Sequence, residues 1–323
     1  MVKTIILRTM SNTYWLNGKY VQKEDAYLSP LTHTLHYGLG AFEGVRSYEA
    51  MNGEVNIFRL KEHTERLFES AKIINVPIEF SFDEVMAAQL GVISKSGLKD
   101  AYIRPLIYLN DEKLGLDIEG MKSHLMVSCW EWPSVFGAET MEKGIDVMVS
   151  SFTRQFPNSL MTKSKISGGY VNGIMAHDQA KRNGYHEAIL LDTTGFVAEG
   201  SGQNIFLIKD GKLLTPALTC CLNGITRRTV IQIAKDHNIE VIERNITRDE
   251  LYTADEIFFC GTAVEVTPIR SVDKTEVGNG ARGEITTLIQ SKYLDAVRGE
   301  AKEYSDWPVR IFFCFTSYCI KVF

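Results

Sequence analysis

The chain has 323 residues, of which 45% are hydrophobic and 23% charged, with a formal net charge of −5. That is the composition of a globular protein long enough to build two cores, and its interspersed signs leave no basic stripe for a nucleic-acid backbone. The opening MVKTIILRTMSNTYW contains only the short apolar stretch IIL, too little for a signal peptide or a membrane span, so a cytoplasmic protein with no membrane partner is expected. Cys129, Cys220, Cys221, Cys260, Cys314 and Cys319 form no CxxC pair and lie mostly in apolar segments. They read as reduced packing thiols, and neither a disulfide framework nor a metal site is expected. The adjacent Cys220 and Cys221 read as small filler, with redox sensitivity as the alternative.

Along the chain, residues 14–21, YWLNGKYV, set an Asn-Gly pair between apolar flanks and predict a hairpin. Strand-like runs follow at 41–48 and 55–60. Over 60–74, Leu60, Leu67, Ala71 and Ile74 share one helical face, and 82–93 repeats the pattern, so two amphipathic helices are predicted. The runs AYIRPLIYL and HLMVSCWEW then close a first α/β unit, residues 1–131. The segment 132–142, WPSVFGAETME, reads as the connection to a second domain over 143–323. That domain opens on the strand GIDVMVSS. Strands are predicted at 186–192, 204–208 and 213–214, with turns at Thr194-Gly195 and Asp210-Gly211. A helix over 225–237, the run IEVIERN, a short helix at 248–252, the strand EIFFCG and a final helix over 284–297 complete it. The fold class is therefore mixed α/β in two domains, without internal repeats.

The chemistry concentrates in two runs, TKSKISGGY and GFVAEGSGQNIF. A lysine in a turn, a tyrosine shortly after it and an acid in a second glycine-rich turn suit a pyridoxal phosphate enzyme. The amine forms the Schiff base, and the acid keeps the ring nitrogen protonated. Lys165 and Lys163 both qualify for the amine on residue chemistry alone. Gly168 and Gly169 let the backbone approach a flat ring, Tyr170 offers a phenol to its phenolate oxygen, and Glu199 offers the carboxylate. Gly224, Ile225 and Thr226, opening a predicted helix in LNGITRRTV, supply amides for a phosphate, as does the turn Cys260–Ala263 with the Thr262 hydroxyl. Arg59, just before the first long helix, adds a guanidinium. Each of these also has a structural reading as a surface turn or helix cap.

In chain order, HTLHYGLGAFEGVRSY, NIFRLKEHTERL, AYIRPL, GIDVMVSSF, TKSKISGGYVN, GFVAEGSGQNIF, LNGITRRTV, ADEIFFCGTAVEVTPI and RGEIT resemble the branched-chain amino acid aminotransferases, fold type IV pyridoxal phosphate enzymes. The resemblance reaches to about Trp307. It implies a small N-terminal α/β domain, a larger C-terminal pseudo-barrel domain, the cofactor between them and a homodimer or higher homo-oligomer. Matched position by position, Lys165 is the Schiff-base lysine, Glu199 the partner of the ring nitrogen and Tyr170 the residue at the phenolate oxygen. Arg59, Ile225, Thr226 and Thr262 match the phosphate-binding positions. Tyr102, Arg104, Thr262 and Ala263 match those that receive or support the substrate carboxylate. Tyr37, Phe42 and Trp132 match the side-chain pocket, with Arg104 and the Tyr37 hydroxyl as donors to glutamate's second carboxylate.

The implied activity is transfer of the amino group of leucine, isoleucine or valine to 2-oxoglutarate, giving 2-oxo acids and glutamate in a ping-pong cycle. Lys165 serves as the acid–base in that cycle. A D-amino acid aminotransferase or an aminodeoxychorismate lyase of the same fold is the alternative, and EGVRSY with YIRPL favours the branched-chain group. A non-enzymatic scaffold is disfavoured by the intact Lys165 and Glu199. Two departures stand out: Val135 replaces the usual aromatic residue three positions after Trp132, and the tail 308–323, PVRIFFCFTSYCIKVF, is unlike the family's polar ending. The tail reads as an exposed sticky segment, an extra strand or a frameshifted end, the last being favoured.

Overall fold

The computed structural model describes residues 12–132 and 137–311. These fall into two compact units, one made of residues 12–132 with 296–311 and the other of residues 137–295. The division differs from a C-terminal domain running over 143–323. Pro308–Ile311 forms a strand that pairs antiparallel with Val55–Phe58, which places residues 308–311 in the first unit. Residues 308–311 are thus an extra strand, while 312–323, with Cys314 and Cys319, lie outside the described residues, as does Val135. Residues 138–143, which overlap the end of the expected connection 132–142, form a helix.

The first unit opens with β1 (Thr13–Leu16) and β2 (Lys19–Gln22), joined by Asn17 and Gly18 at φ 47° and 90°. Both turn residues are left-handed, the conformation a two-residue hairpin loop requires. A short helix α1 (His33–Tyr37) ends on Gly38 at φ 71°. The predicted strand over 41–48 is broken into β3 (Gly40–Phe42) and β4 (Val45–Glu49), followed by β5 (Val55–Phe58).

The break follows from Glu43, which is fully buried and turns aside to accept from His63 Nδ1 at 2.7 Å and from Arg66 Nε at 2.6 Å and Nη2 at 3.0 Å. Helices α2 (Leu60–Ile73) and α3 (Phe82–Ser96) bury Leu60, Leu67, Ala71, Val85 and Val92. A capping box between Ser81 and Glu84 starts α3. Strands β6 (Ala101–Leu109) and β7 (Ser123–Glu131) complete an eight-stranded antiparallel sheet in the order 308–311, β5, β4, β6, β7, β1, β2, with β3 beside β6.

The second unit begins with α4 (Ala138–Lys143), β8 (Ile145–Thr153), α5 (Pro157–Leu160) and α6 (Tyr170–Arg182). Next come β9 (Glu187–Leu191), β10 (Val197–Gly200), β11 (Asn204–Lys209), β12 (Lys212–Pro216), α7 (Ile225–Asp236) and β13 (Val241–Arg244). The rest is α8 (Glu250–Thr253), β14 (Glu256–Gly261), β15 (Glu265–Val272), β16 (Thr275–Glu276) and α9 (Glu284–Val297).

Nine strands form a mixed sheet, β10-β9-β8-β15-β14-β11-β12-β13 with β16 on β15, around a core that includes Val147, Ile189, Ile205, Leu207 and Phe259. Helix α6, which apolar spacing does not announce, packs through Ala176 and Ala180 onto Ala188 and Leu190. Its interior Gly173 is needed, because a Cβ there would stand 2.0 Å from the Ser201 carbonyl oxygen. That close approach sets the turn after β10 against the start of α6. Among the described residues no helix is long and apolar enough to cross a membrane, and no cluster of metal-ligating side chains occurs.

Candidate active site

In the second unit, a cavity is lined by Arg154, Lys165, Tyr170, Glu199, Ser201 and Leu222, among others. Lys165 lies on the turn between α5 and α6, half-buried, and its Nζ donates to the hydroxyl of Tyr170, the first residue of α6. Lys163, two residues earlier, is exposed. The turn is held in place by Gln155 Nε2, which donates to the Gly169 carbonyl at 2.7 Å.

Glu199 reaches the same cavity because of a bulge. Val197 pairs with Leu191 and Glu199 with Leu190, so one extra residue lies on β10. Strict alternation would keep Glu199 on the face of Val197, which packs in the main core with Leu191. The bulge instead sends Glu199 to the face of Leu190, towards α6. There the buried carboxylate pairs with Arg154 Nε at 2.7 Å and accepts from Leu222 N at 3.3 Å and Asn204 Nδ2 at 3.4 Å. Burial pushes its proton affinity above the ordinary carboxylate range, and Arg154 and the Leu222 amide only partly oppose that shift.

Asn204 also donates to the Leu222 carbonyl at 2.9 Å, and its Oδ1 occupies the space a Cβ on Gly224 would need, at 2.1 Å. Gly224 therefore lets the loop close on Asn204, and as the extended N-cap of α7 (φ −62°, ψ 141°) it contributes no side chain to cap the helix. The first turn of α7, with Ile225 and Thr226, thus has no side-chain cap from Gly224, and a helix start of this kind is able to receive an anion. Thr262 and Ala263 sit on the turn joining β14 to β15, where Gly261 lies against Gln203. Cys220 and Cys221 are buried in the loop before α7, and burial pushes both thiols up, Cys221 to about 12. Both shifts disfavour the thiolate form.

In the first unit, β3, β6 and β7 bring Phe42, Tyr102, Arg104, Trp130 and Trp132 together. The Arg104 guanidinium lies 4.5 Å from the Phe42 ring centre, 5.3 Å from Tyr102 and 5.6 Å from Trp130. Tyr102 is stacked on Trp130 at 5.2 Å and tilted against Trp132 at 4.8 Å. Its hydroxyl fills the space over Gly44, where a Cβ would be 1.6 Å away. Arg104 Nε is buried with no hydrogen-bond partner among the described residues, so an anion arriving here would satisfy it. Tyr37, at the exposed end of α1, packs on His33 and His36 at 4.5 and 6.2 Å. Arg59 precedes α2 and pairs with Glu62 through Nη1 at 2.7 Å.

Sequence reasoning missed Arg154 and Trp130. Arg154 follows the strand quoted as GIDVMVSSF, but nothing local marks it as the counter-ion of a residue in another turn. Trp130 lies within the run HLMVSCWEW, and only the register Tyr102↔Trp130 shows that it stacks on Tyr102.

The family described as amino-transferase class IV matches residues 40–272. The branched-chain-amino-acid aminotransferase of Pseudomonas aeruginosa is 47% identical to this chain over 293 residues, 91% of this chain and 95% of that one. The Escherichia coli enzyme of the same name is 43% identical over 295 residues, again 91% and 95% of the two chains. Among solved structures, the T.th. branched-chain amino acid aminotransferase with pyridoxamine 5'-phosphate superposes with a TM-score of 0.90 at 40% identity. It covers 93% of this chain and 98% of its own. The E. coli crystal structure gives 0.90 at 42% identity, with 92% and 98% covered. The chain belongs to the class IV aminotransferases and, within them, to the branched-chain amino acid aminotransferase family.

Proposed function

We propose that this protein is a branched-chain amino acid aminotransferase using pyridoxal 5'-phosphate, which passes the amino group of leucine, isoleucine or valine to 2-oxoglutarate in a ping-pong cycle. The observation that carries the proposal is the meeting of Lys165, Tyr170 and Glu199 at one cavity. The donor set fits the cofactor. In the second unit it combines a half-buried amine touching a phenol, a buried carboxylate and a helix start without a side-chain cap; in the first unit, Arg59 carries a buried Nε with no hydrogen-bond partner among the described residues. When bound, the cofactor withdraws the electrons left on the substrate's α-carbon.

Lys165 would hold the cofactor through Nζ, and within each half-cycle that amine would take the substrate's α-proton and deliver it again before the product leaves. The Tyr170 hydroxyl accepts from Nζ and would be offered to the phenolate oxygen. Glu199, backed by Arg154, keeps the ring nitrogen protonated. Arg59, Gly224, Ile225, Thr226 and Thr262 hold the phosphate. Tyr102, Arg104, Thr262 and Ala263 receive the substrate α-carboxylate, and the Arg104 Nε left without a partner supports that role. Phe42, Trp132 and Tyr37 offer apolar surface to the side chain, where burial contributes about 25 cal/mol per Å².

A homodimer is the proposed working form. Leu28, Leu31, Leu35 and Tyr37, with Val171 and Ile174 on α6, are apolar and exposed, and a second copy would remove them from water. The cytoplasm is the proposed compartment.

The experiment is spectroscopic. The purified protein should be yellow, its band should shift with L-leucine, and Lys165→Ala should lose that band and at least about 10³-fold in kcat. A shift with D-alanine but not with L-leucine or L-valine would remove the branched-chain assignment, and absence of colour with cofactor supplied would remove the enzyme reading.

A further inference from the structure

Arg59 stands in an unusual conformation for its residue type. At φ 52° and ψ 37° it is left-handed, a region that side chains with a Cβ avoid, and it is the N-cap of α2 without a side-chain cap. Such a conformation persists only where the surroundings over-determine it. Here the surroundings come from the far end of the chain. The Arg59 amide donates to the Trp307 carbonyl at 2.9 Å, and the guanidinium lies 4.1 Å from the centre of the Trp307 ring. Trp307 is stacked in turn on the buried Tyr304 at 4.0 Å with 9° between the planes, and it meets Phe58 edge-on at 6.0 Å.

The strand Pro308–Ile311 fixes this platform, since its pairing begins with Pro308 opposite Phe58, the residue before Arg59. Glu62 takes Nη1, while Nε is buried with no hydrogen-bond partner among the described residues. Stacking on the ring fixes the plane of the guanidinium without consuming its donors.

We propose that Trp307, backed by Tyr304, is a positioning residue that presets the Arg59 guanidinium for the cofactor's phosphate. This rests on the reading of Arg59 as a phosphate ligand given above. The C-terminal segment thereby governs how tightly the phosphate, and not the ring, is held. The aromatic platform reduces the freedom Arg59 would otherwise lose on meeting the anion, so its removal acts on phosphate affinity and spares the chemistry at Lys165.

The test compares dissociation constants, read by absorbance titration of the full-length protein, for pyridoxal 5'-phosphate and for pyridoxal, which lacks the phosphate. Trp307→Leu is expected to weaken pyridoxal 5'-phosphate roughly tenfold and to leave pyridoxal within about twofold, with Trp307→Phe recovering most of the loss. In an Arg59→Gln background, Trp307→Leu should add no further loss, because the two act as one unit. Equal weakening of both probes, or an undiminished effect in the Arg59→Gln background, would overturn the proposal by making Trp307 a general scaffold residue. If Arg59→Gln by itself leaves the preference for the phosphorylated probe intact, the phosphate assignment of Arg59 is what fails, and the role of Trp307 goes with it. Should Trp307→Leu not fold, Trp307→Phe decides: about threefold weakening confined to pyridoxal 5'-phosphate supports the proposal, and no change or equal change in both probes overturns it.

Discussion

Glu43 in the first unit and Glu199 in the second are both buried carboxylates, yet their environments drive them in opposite directions. Burial alone would push the Glu43 carboxyl up, but Arg66 and His63, both within hydrogen-bond distance, outweigh it and hold the group well below the usual carboxylate range. Glu199 pairs with Arg154 and feels Lys165 more weakly, and there burial prevails. The difference separates two uses of a buried charge. Glu43, held by Arg66 and His63, is a fixed anion that locks the turn between β3 and β4 onto α2. Glu199, paired closely with Arg154 alone, keeps acceptor capacity at the cavity and a proton affinity that a bound partner can still move.

Glu43→Gln tests the structural half of that contrast and carries the largest expected effect. It leaves Arg66 and His63 without their anion, and breaking a buried pair of this kind removes about 3–5 kcal/mol of stability, measurable by urea denaturation. A loss below about 1 kcal/mol would mean that Glu43 is not the structural charge its contacts indicate. Glu199→Gln tests the other half. It should lower kcat about 10²-fold, equivalent to about 2.7 kcal/mol of barrier, with a smaller change in melting temperature than Glu43→Gln. An unchanged kcat would erase the distinction between the two acids.

The smallest effect lies in how stability depends on pH. Glu43 is depressed from 4.5, so its contribution is complete above 4.5 and lost as pH falls towards its folded value. Glu199 is raised from 4.5, so its contribution is complete below 4.5 and lost as pH rises through its folded value. Relative to wild type, the deficit of Glu43→Gln should shrink on acidification, whereas Glu199→Gln should gain as pH rises above 4.5. Parallel slopes for the two variants would show that the environments do not differ as described.

Much of the fold was legible where its cause is local. The hairpin around Asn17-Gly18, helices α2, α3 and α7, and the helix Glu284–Val297 follow from turn chemistry and apolar spacing. The strand over 41–48 was legible only in part, because its break depends on Glu43 meeting α2. Helix α6 was not legible: Gly173 lowers its helical propensity, and the reason for that glycine is the Ser201 carbonyl in another turn. The runs around Lys165 and Glu199 could be picked out as chemistry-bearing, and their convergence was expected from cofactor chemistry and the family resemblance, though not from local spacing.

By itself, then, the sequence determined the elements whose periodicity is local, the mixed α/β class, and the runs in which reactive side chains lie. Residue chemistry left Lys163 and Lys165 open and the family resemblance chose Lys165; the tertiary structure places Lys165 half-buried against Tyr170 at a cavity and Lys163 in solvent. It also set the bulge that turns Glu199 towards α6, the pairing of Glu199 with Arg154, and the return of Trp307 beneath Arg59. The physical reason is range. Propensity and spacing act over one or two turns of chain, whereas burial, ion pairing and stacking depend on which distant segments share a space once the sheets have formed.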